Sequence, residues 1–194
     1  MRFLILTLTF CLMLPGLAQA QRDSVKVFFF GNSLVEHVSD THETSTMYWL
    51  GYITNEARKD FAADGMFGFL REYGRKLPAK AQWSVPGVEP AWRGDMTRSG
   101  YDAVVLTPTN FIQYKPADEQ YDWQNPGNIS PLDASRQVLD WVRTNSPDSR
   151  LFIYEGWADM DGVVRKFPPS ARQLRKYHRF NGDDYHDWYL DYLQ

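Results

Sequence analysis

Four positions carry groups suited to acyl-transfer chemistry, and each follows a run suited to a buried strand. Gly31-Asn32-Ser33-Leu34 comes after residues 25–30, and Asp64-Gly65 after residues 60–63. Pro108-Thr109-Asn110 follows residues 101–107, and Glu155-Gly156-Trp157 follows residues 150–154. A serine on a tight turn between strand and helix projects its hydroxyl beside unpaired backbone N–H groups. Those groups, a glycine N–H and an asparagine amide are the donors that an acyl-transfer oxyanion needs. Each residue also has a plainer use: Ser33 as a helix N-cap, Gly65 as a turn glycine, Asn110 as a loop cap. All three at successive strand ends favour a shared site.

The elements that must position these groups alternate. Residues 25–30, 101–107 and 150–154 are almost continuously apolar, as central parallel strands buried on both faces are. Residues 60–63 form a weaker strand. Between them, Met47, Leu50, Ile53 and Ala57 recur at helical steps, as do Phe69, Leu70, Tyr73 and Leu77. Ser130-Pro131-Leu132-Asp133 opens another helix, with Ser at the N-cap and Pro in the first turn. The alternation predicts an α/β fold, a three-layer α/β/α sandwich on a central parallel sheet. The strand of residues 25–30 is expected at its centre. In such sheets ligands gather at the carboxyl ends of the strands, which puts Ser33, Gly65, Asn110 and Glu155 at one rim. Residues 83–100 and 115–128 read as long loops.

The chain has 194 residues, 43% hydrophobic and 23% charged, which suits one globular domain and excludes collagen, coiled coil and wholesale disorder. A net charge of −3 gives no basic excess for nucleic acid. Residues 1–20 read as a secretory signal: a positive start, a short apolar run broken by Pro15-Gly16, then Ala18-Gln19-Ala20 for cleavage. The domain is then 21–194, exported to the periplasm or beyond, with no stable membrane insertion after cleavage. The one cysteine, Cys11, lies in the signal, so the mature chain has no disulfide, thiol nucleophile or thiolate metal site. No cofactor is expected. Aromatics reach 15%, and Trp83, Trp92, Trp123 and Trp157 suggest an exposed surface that stacks on sugars.

The sequence resembles the GDSL/SGNH hydrolase family over roughly residues 25–160. Phe30-Gly31-Asn32-Ser33-Leu34 looks like its GDSL block, with Asn for Asp. Gly65 and Asn110 stand in the order of its oxyanion glycine and asparagine, though Pro108 and Phe111 depart from the GxND block. The resemblance implies a flavodoxin-like strand order, Ser33 as nucleophile, and an oxyanion hole from Ser33 N–H, Gly65 N–H and the Asn110 amide. It also implies a late Asp-x-x-His, which Asp183-Asp184-Tyr185-His186 fits, with His186 as base and Asp183 orienting it. That stretch follows the fourth strand with no fifth between, and on its own residues it reads better as a solvated helix start rich in acidic groups. Tyr185, Trp188, Tyr189 and Tyr192 then form an aromatic stripe that expects another strand to cover it. The chain is accordingly expected to be a fragment lacking its last strand. His186 is expected to lie away from Ser33, with an aromatic face left open.

The function expected is an exported serine ester hydrolase acting on a small-molecule or carbohydrate ester. A non-catalytic glycan- or partner-binding domain is the alternative, and a glycosidase using Glu155 with Asp159 or Asp161 the third reading. His37, His42, Glu36 and Glu43 cluster after Ser33 without the spacing of a metal site. Arg172, Arg175, Lys176 and Arg179 read as a solvated basic stretch.

Overall fold

A computed structural model describes residues 24–32, 35, 45–68, 70–73, 77, 80–84, 88–107, 116, 118–121, 125, 127–156, 164, 166–180, 182 and 185–193. Residues 1–23, and with them the secretory-signal reading, lie outside this set.

The fold is α/β. Strands β1 (Ser24–Gly31), β2 (Asp60–Phe67), β4 (Ala103–Leu106) and β5 (Arg150–Ile153) run parallel, and β3 (Trp83–Ser84) adds an antiparallel pair on β2. The order is β3-β2-β1-β4-β5, so β1 is central, as its apolar run requires. The parallel strands, numbered by their own succession, read 2-1-3-4 across the sheet. The chain therefore steps one way from β1 to β2 and the other way through β4 to β5. The point of reversal lies between the carboxyl ends of β1 and β4, where open sheets of this kind leave a crevice.

Period-two alternation along β1 divides the core between two faces. Phe28 and Phe30 join Val104, Leu106, Ala62 and Met66 on one face, packed with Ala134, Val138 and Val142 of α4 (Pro131–Asn145). Val27 and Phe29 join Ala63 and Ala103 on the other, with Met47 of α1 (Thr46–Glu56). α4 starts where its sequence predicts, and α1 starts on a serine cap of the same kind. Ser45 Oγ accepts from Tyr48 N at 3.1 Å. Ser130 Oγ accepts from Asp133 N at 3.1 Å and donates to the Asp133 carboxylate at 2.8 Å.

Three elements differ from expectation. β2 does not stop at Asp64-Gly65 but runs on to Phe67. Asp64 is fully buried, and its carboxylate accepts from Ala91 N at 2.8 Å, Trp92 N at 2.9 Å and Tyr101 Oη at 2.9 Å. A residue that reads locally as a turn former is thus paid for by distant donors and stays in the strand. The helix expected over residues 69–77 is a single described turn, α2 (Leu70–Tyr73). The stretch 83–100, read as loop, contains β3 and α3 (Met96–Ser99), the latter capped by Asp95, whose carboxylate accepts from Arg98 N at 2.7 Å.

The C-terminal region gives the largest correction. After β5 come α5 (Ala171–Phe180) and α6 (His186–Leu193). The α6 stripe is not open: Tyr185, Tyr189 and Tyr192 are all buried. Tyr185 and Tyr189 pack with Tyr177 of α5, while Tyr192 enters the same core cluster as α4. Tyr189 Oη also donates to the Tyr154 carbonyl at 3.2 Å. The aromatic face is covered by α5, α4 and the end of β5, without a further strand among the described residues.

Candidate active site

The carboxyl ends of the parallel strands are aligned by backbone bonds that continue past the ladder. Gly68 N donates to Gly31 O at 2.9 Å, Thr107 N to Phe30 O at 3.0 Å, and Tyr154 N to Leu106 O at 2.7 Å. Gly31-Asn32, Gly68, Thr107 and Tyr154-Glu155 therefore share one edge. At its centre the chain leaves β1 in a tight turn, closed by Val35 N donating to Asn32 O at 2.9 Å. Gly31 allows a close approach there: a Cβ on it would stand 3.0 Å from Val35 Cβ, so a larger residue would have to displace Val35. Asn32, at the start of the turn, is buried. Across the point of reversal from it, Thr107 Oγ1 is buried and makes no hydrogen bond among the described residues.

Ser33 belongs to this turn by sequence but lies outside the described residues, as do Asn110 and Asp183. His37, His42, Glu36, Glu43, Asp159, Asp161, Trp123 and Trp157 are also outside them. Gly65 is described, and it is not at the rim. It pairs with Phe29 and Trp83 inside the sheet, and its carbonyl accepts from Gln82 N at 2.9 Å. Two residues separate it from the end of β2, which places it about 6–7 Å short of the edge. The glycine at that edge is Gly68, with φ of 151°. Its N–H is bound to Gly31 O, which keeps it in the sheet rather than offering it to an oxyanion.

His186 is at the rim. Its Nδ1 stands 2.7 Å from Glu155 Oε2, two residues beyond the last residue of β5. The two side chains are 47% and 28% exposed, so the pair is accessible from solvent yet not free in it. The frame around it is closed. Tyr154, next to Glu155, is held through its N–H by β4 and through its carbonyl by Tyr189, one helical turn after His186. The Asp-x-x-His pattern contains this histidine, but the carboxylate beside it in the structure comes from a strand end 31 residues away. No local spacing signals that pairing.

Other expectations find less support. Trp92 is not an exposed platform: it is part-buried, with its ring 5.9 Å from that of Phe28. Glu155 faces an imidazole, whereas a glycosidase needs a second carboxylate facing it across the bond to be cleaved. No group of three or more potential metal ligands occurs among the described residues. A cavity of about 590 Å³ opens between Tyr48, Tyr52 and Arg93, but at the amino ends of β1 and β2, the edge opposite to this site. No family model, curated protein or solved structure matches this chain.

Proposed function

We propose that the chain is an exported serine ester hydrolase of the GDSL/SGNH type, with Ser33 as nucleophile and His186 as general base. The observation that carries this reading is the position of His186. α6 brings it back to the carboxyl end of the sheet, beside a carboxylate, at the edge where the turn after β1 places Ser33 by sequence. The 2-1-3-4 order of the parallel strands supports it, being the beginning of a doubly wound order whose ligands bind at this rim.

In the proposed reaction Ser33 Oγ attacks the ester carbonyl while His186 takes its proton. The tetrahedral intermediate collapses to an acyl-enzyme, and the same proton goes to the leaving alcohol. A water, deprotonated by His186, then attacks the acyl carbon; the bond to Ser33 Oγ breaks, His186 returns the proton to that oxygen, and the acid is released. The proposed oxyanion donors are the Ser33 N–H and the Asn110 amide; Gly65, within β2, is left out. β4 separates β1 from β5, so the reading requires the serine hydroxyl and the His186 imidazole to meet across about 10 Å of strand spacing. A small acyl ester, free or on a carbohydrate, is the substrate class.

The full chain should hydrolyse p-nitrophenyl acetate, with turnover reduced to background by Ser33→Ala and by His186→Ala. Turnover by the parent chain no greater than by Ser33→Ala overturns the reading and favours a non-catalytic binding domain.

A further inference from the structure

We infer that Glu155, rather than Asp183, is the positioning carboxylate of His186: it sets which ring nitrogen carries the proton and where the other one points. The kinetic consequence rests on the hydrolase reading above, whereas the structural one does not.

The argument begins with the ring. A neutral imidazole has one N–H and one lone pair, and each nitrogen takes one strong in-plane partner. Nδ1 lies 2.7 Å from Glu155 Oε2, within the range of a charge-assisted bond. A carboxylate only accepts, so Nδ1 is the protonated nitrogen and the lone pair is on Nε2. That is the tautomer a base needs, and the imidazolium formed during turnover would keep an anion beside it. With Nδ1 engaged in this way, no site on that nitrogen is left for Asp183.

The pair is built rather than incidental. Glu155 follows Tyr154, which is fixed on both sides of its backbone, through N–H to Leu106 O and through C=O to Tyr189 Oη. Tyr189 lies three residues after His186 and is 2% exposed. The helix that carries the histidine is thus docked on the residue that precedes the carboxylate. Two contacts between the same short segments fix both the distance and the orientation. A surface ion pair between two long side chains has no such frame.

Glu155→Gln tests the assignment while preserving size. Its amide can donate to Nδ1 and so turn the ring to the Nε2–H tautomer, which cannot accept a proton. Long-range proton–nitrogen NMR correlations of the ¹⁵N-labelled full chain, with the His186 signals identified by His186→Ala, report the tautomer directly. The parent chain, Glu155→Asp and Asp183→Asn should show Nδ1–H at His186, and Glu155→Gln should show Nε2–H. With p-nitrophenyl acetate, Glu155→Gln should lower kcat about 10²- to 10³-fold with KM within about threefold. That is less than the roughly 10⁴-fold seen when a fully buried triad carboxylate is replaced. Glu155→Asp should recover part of the loss, and Asp183→Asn should stay within about threefold of the parent. If the parent chain proves inactive, the hydrolase reading fails but the tautomer shift still decides the assignment. A His186 tautomer that ignores Glu155→Gln, or that moves with Asp183→Asn, overturns it.

Discussion

Asp64→Ala removes one carboxylate and deprives three donors of their acceptor. Ala91 N, Trp92 N and Tyr101 Oη all converge on Asp64 Oδ2 within 2.9 Å. Ala91 and Tyr101 are 2% and 3% exposed, so water cannot replace the lost bonds there; Trp92 is part-buried and recovers some hydration. Each buried donor left unpaired costs about 1–3 kcal/mol, which gives about 3–6 kcal/mol for the set. A domain of this size holds only about 5–15 kcal/mol, so the variant should be close to unfolding at room temperature. Asp64→Asn keeps an oxygen in place to accept the same bonds. It gives up their charge assistance and also the burial of an anion, so its cost should be only about 1–2 kcal/mol. Urea unfolding followed by circular dichroism measures both. The reasoning is refuted if Asp64→Ala stays within about 1 kcal/mol of the parent, or if Asn costs as much as Ala.

Two further outcomes follow from the tyrosines. Burial pushes the Tyr192 phenol up to about 12, with a smaller push from Asp133 opposed by the Leu132 backbone. Burial, then the Asp64 charge and its hydrogen bond, raises Tyr101 further still. The folded chain therefore keeps phenol protons that the unfolded chain releases near its ordinary value of 10.0. Their contribution is intact below pH 10 and is lost as pH rises through the folded values, so stability should fall steadily from about pH 10 upward. Tyrosinate absorbance should show two late phenols that ionise only with unfolding, and a complete titration near pH 10 with the fold intact would contradict this. Separately, Tyr189→Phe should cost about 0.5–1.5 kcal/mol by urea unfolding through loss of its bond to Tyr154 O. It should lower ester turnover by less than about tenfold, because it seats α6 without touching the imidazole.

What the sequence made legible follows the range of the interactions involved. β1 and β4 were readable because strands near the centre of a parallel sheet are apolar without interruption, and that is a local property. β5 reads the same way but is an edge strand with Phe152 and Ile153 exposed, so its apolar run marked a strand without marking a central, doubly buried one. The α4 start was readable because Ser130, Pro131 and Asp133 act within one turn. The end of β2 was not: Asp64-Gly65 has the composition of a turn, and only donors 27 to 37 residues away make Asp64 a strand residue. That error moved Gly65 to the rim in the reading, while the structure sets Gly68 there.

The α6 stripe shows the same boundary from the other side. Periodicity identifies an apolar face but not what covers it, and the inference that a further strand was needed assumed a cover of one kind. Tyr177 of α5 and the α4 cluster fill that role instead. Their position has a chemical consequence, because a helix docked against β5 brings its first residue, His186, to the carboxyl edge of the sheet. An Asp-x-x-His pattern requires the acid to be local to the histidine, since both are read from one segment. The fold does not impose that requirement: once α6 is fixed by Tyr189 on Tyr154, the next residue of the strand end, Glu155, meets the imidazole without any help from the helix's own sequence. The imidazole and the carboxylate beside it are thus brought together by one docking of α6, to which the Tyr189 bond is one contribution beside the buried packing of Tyr185 and Tyr192.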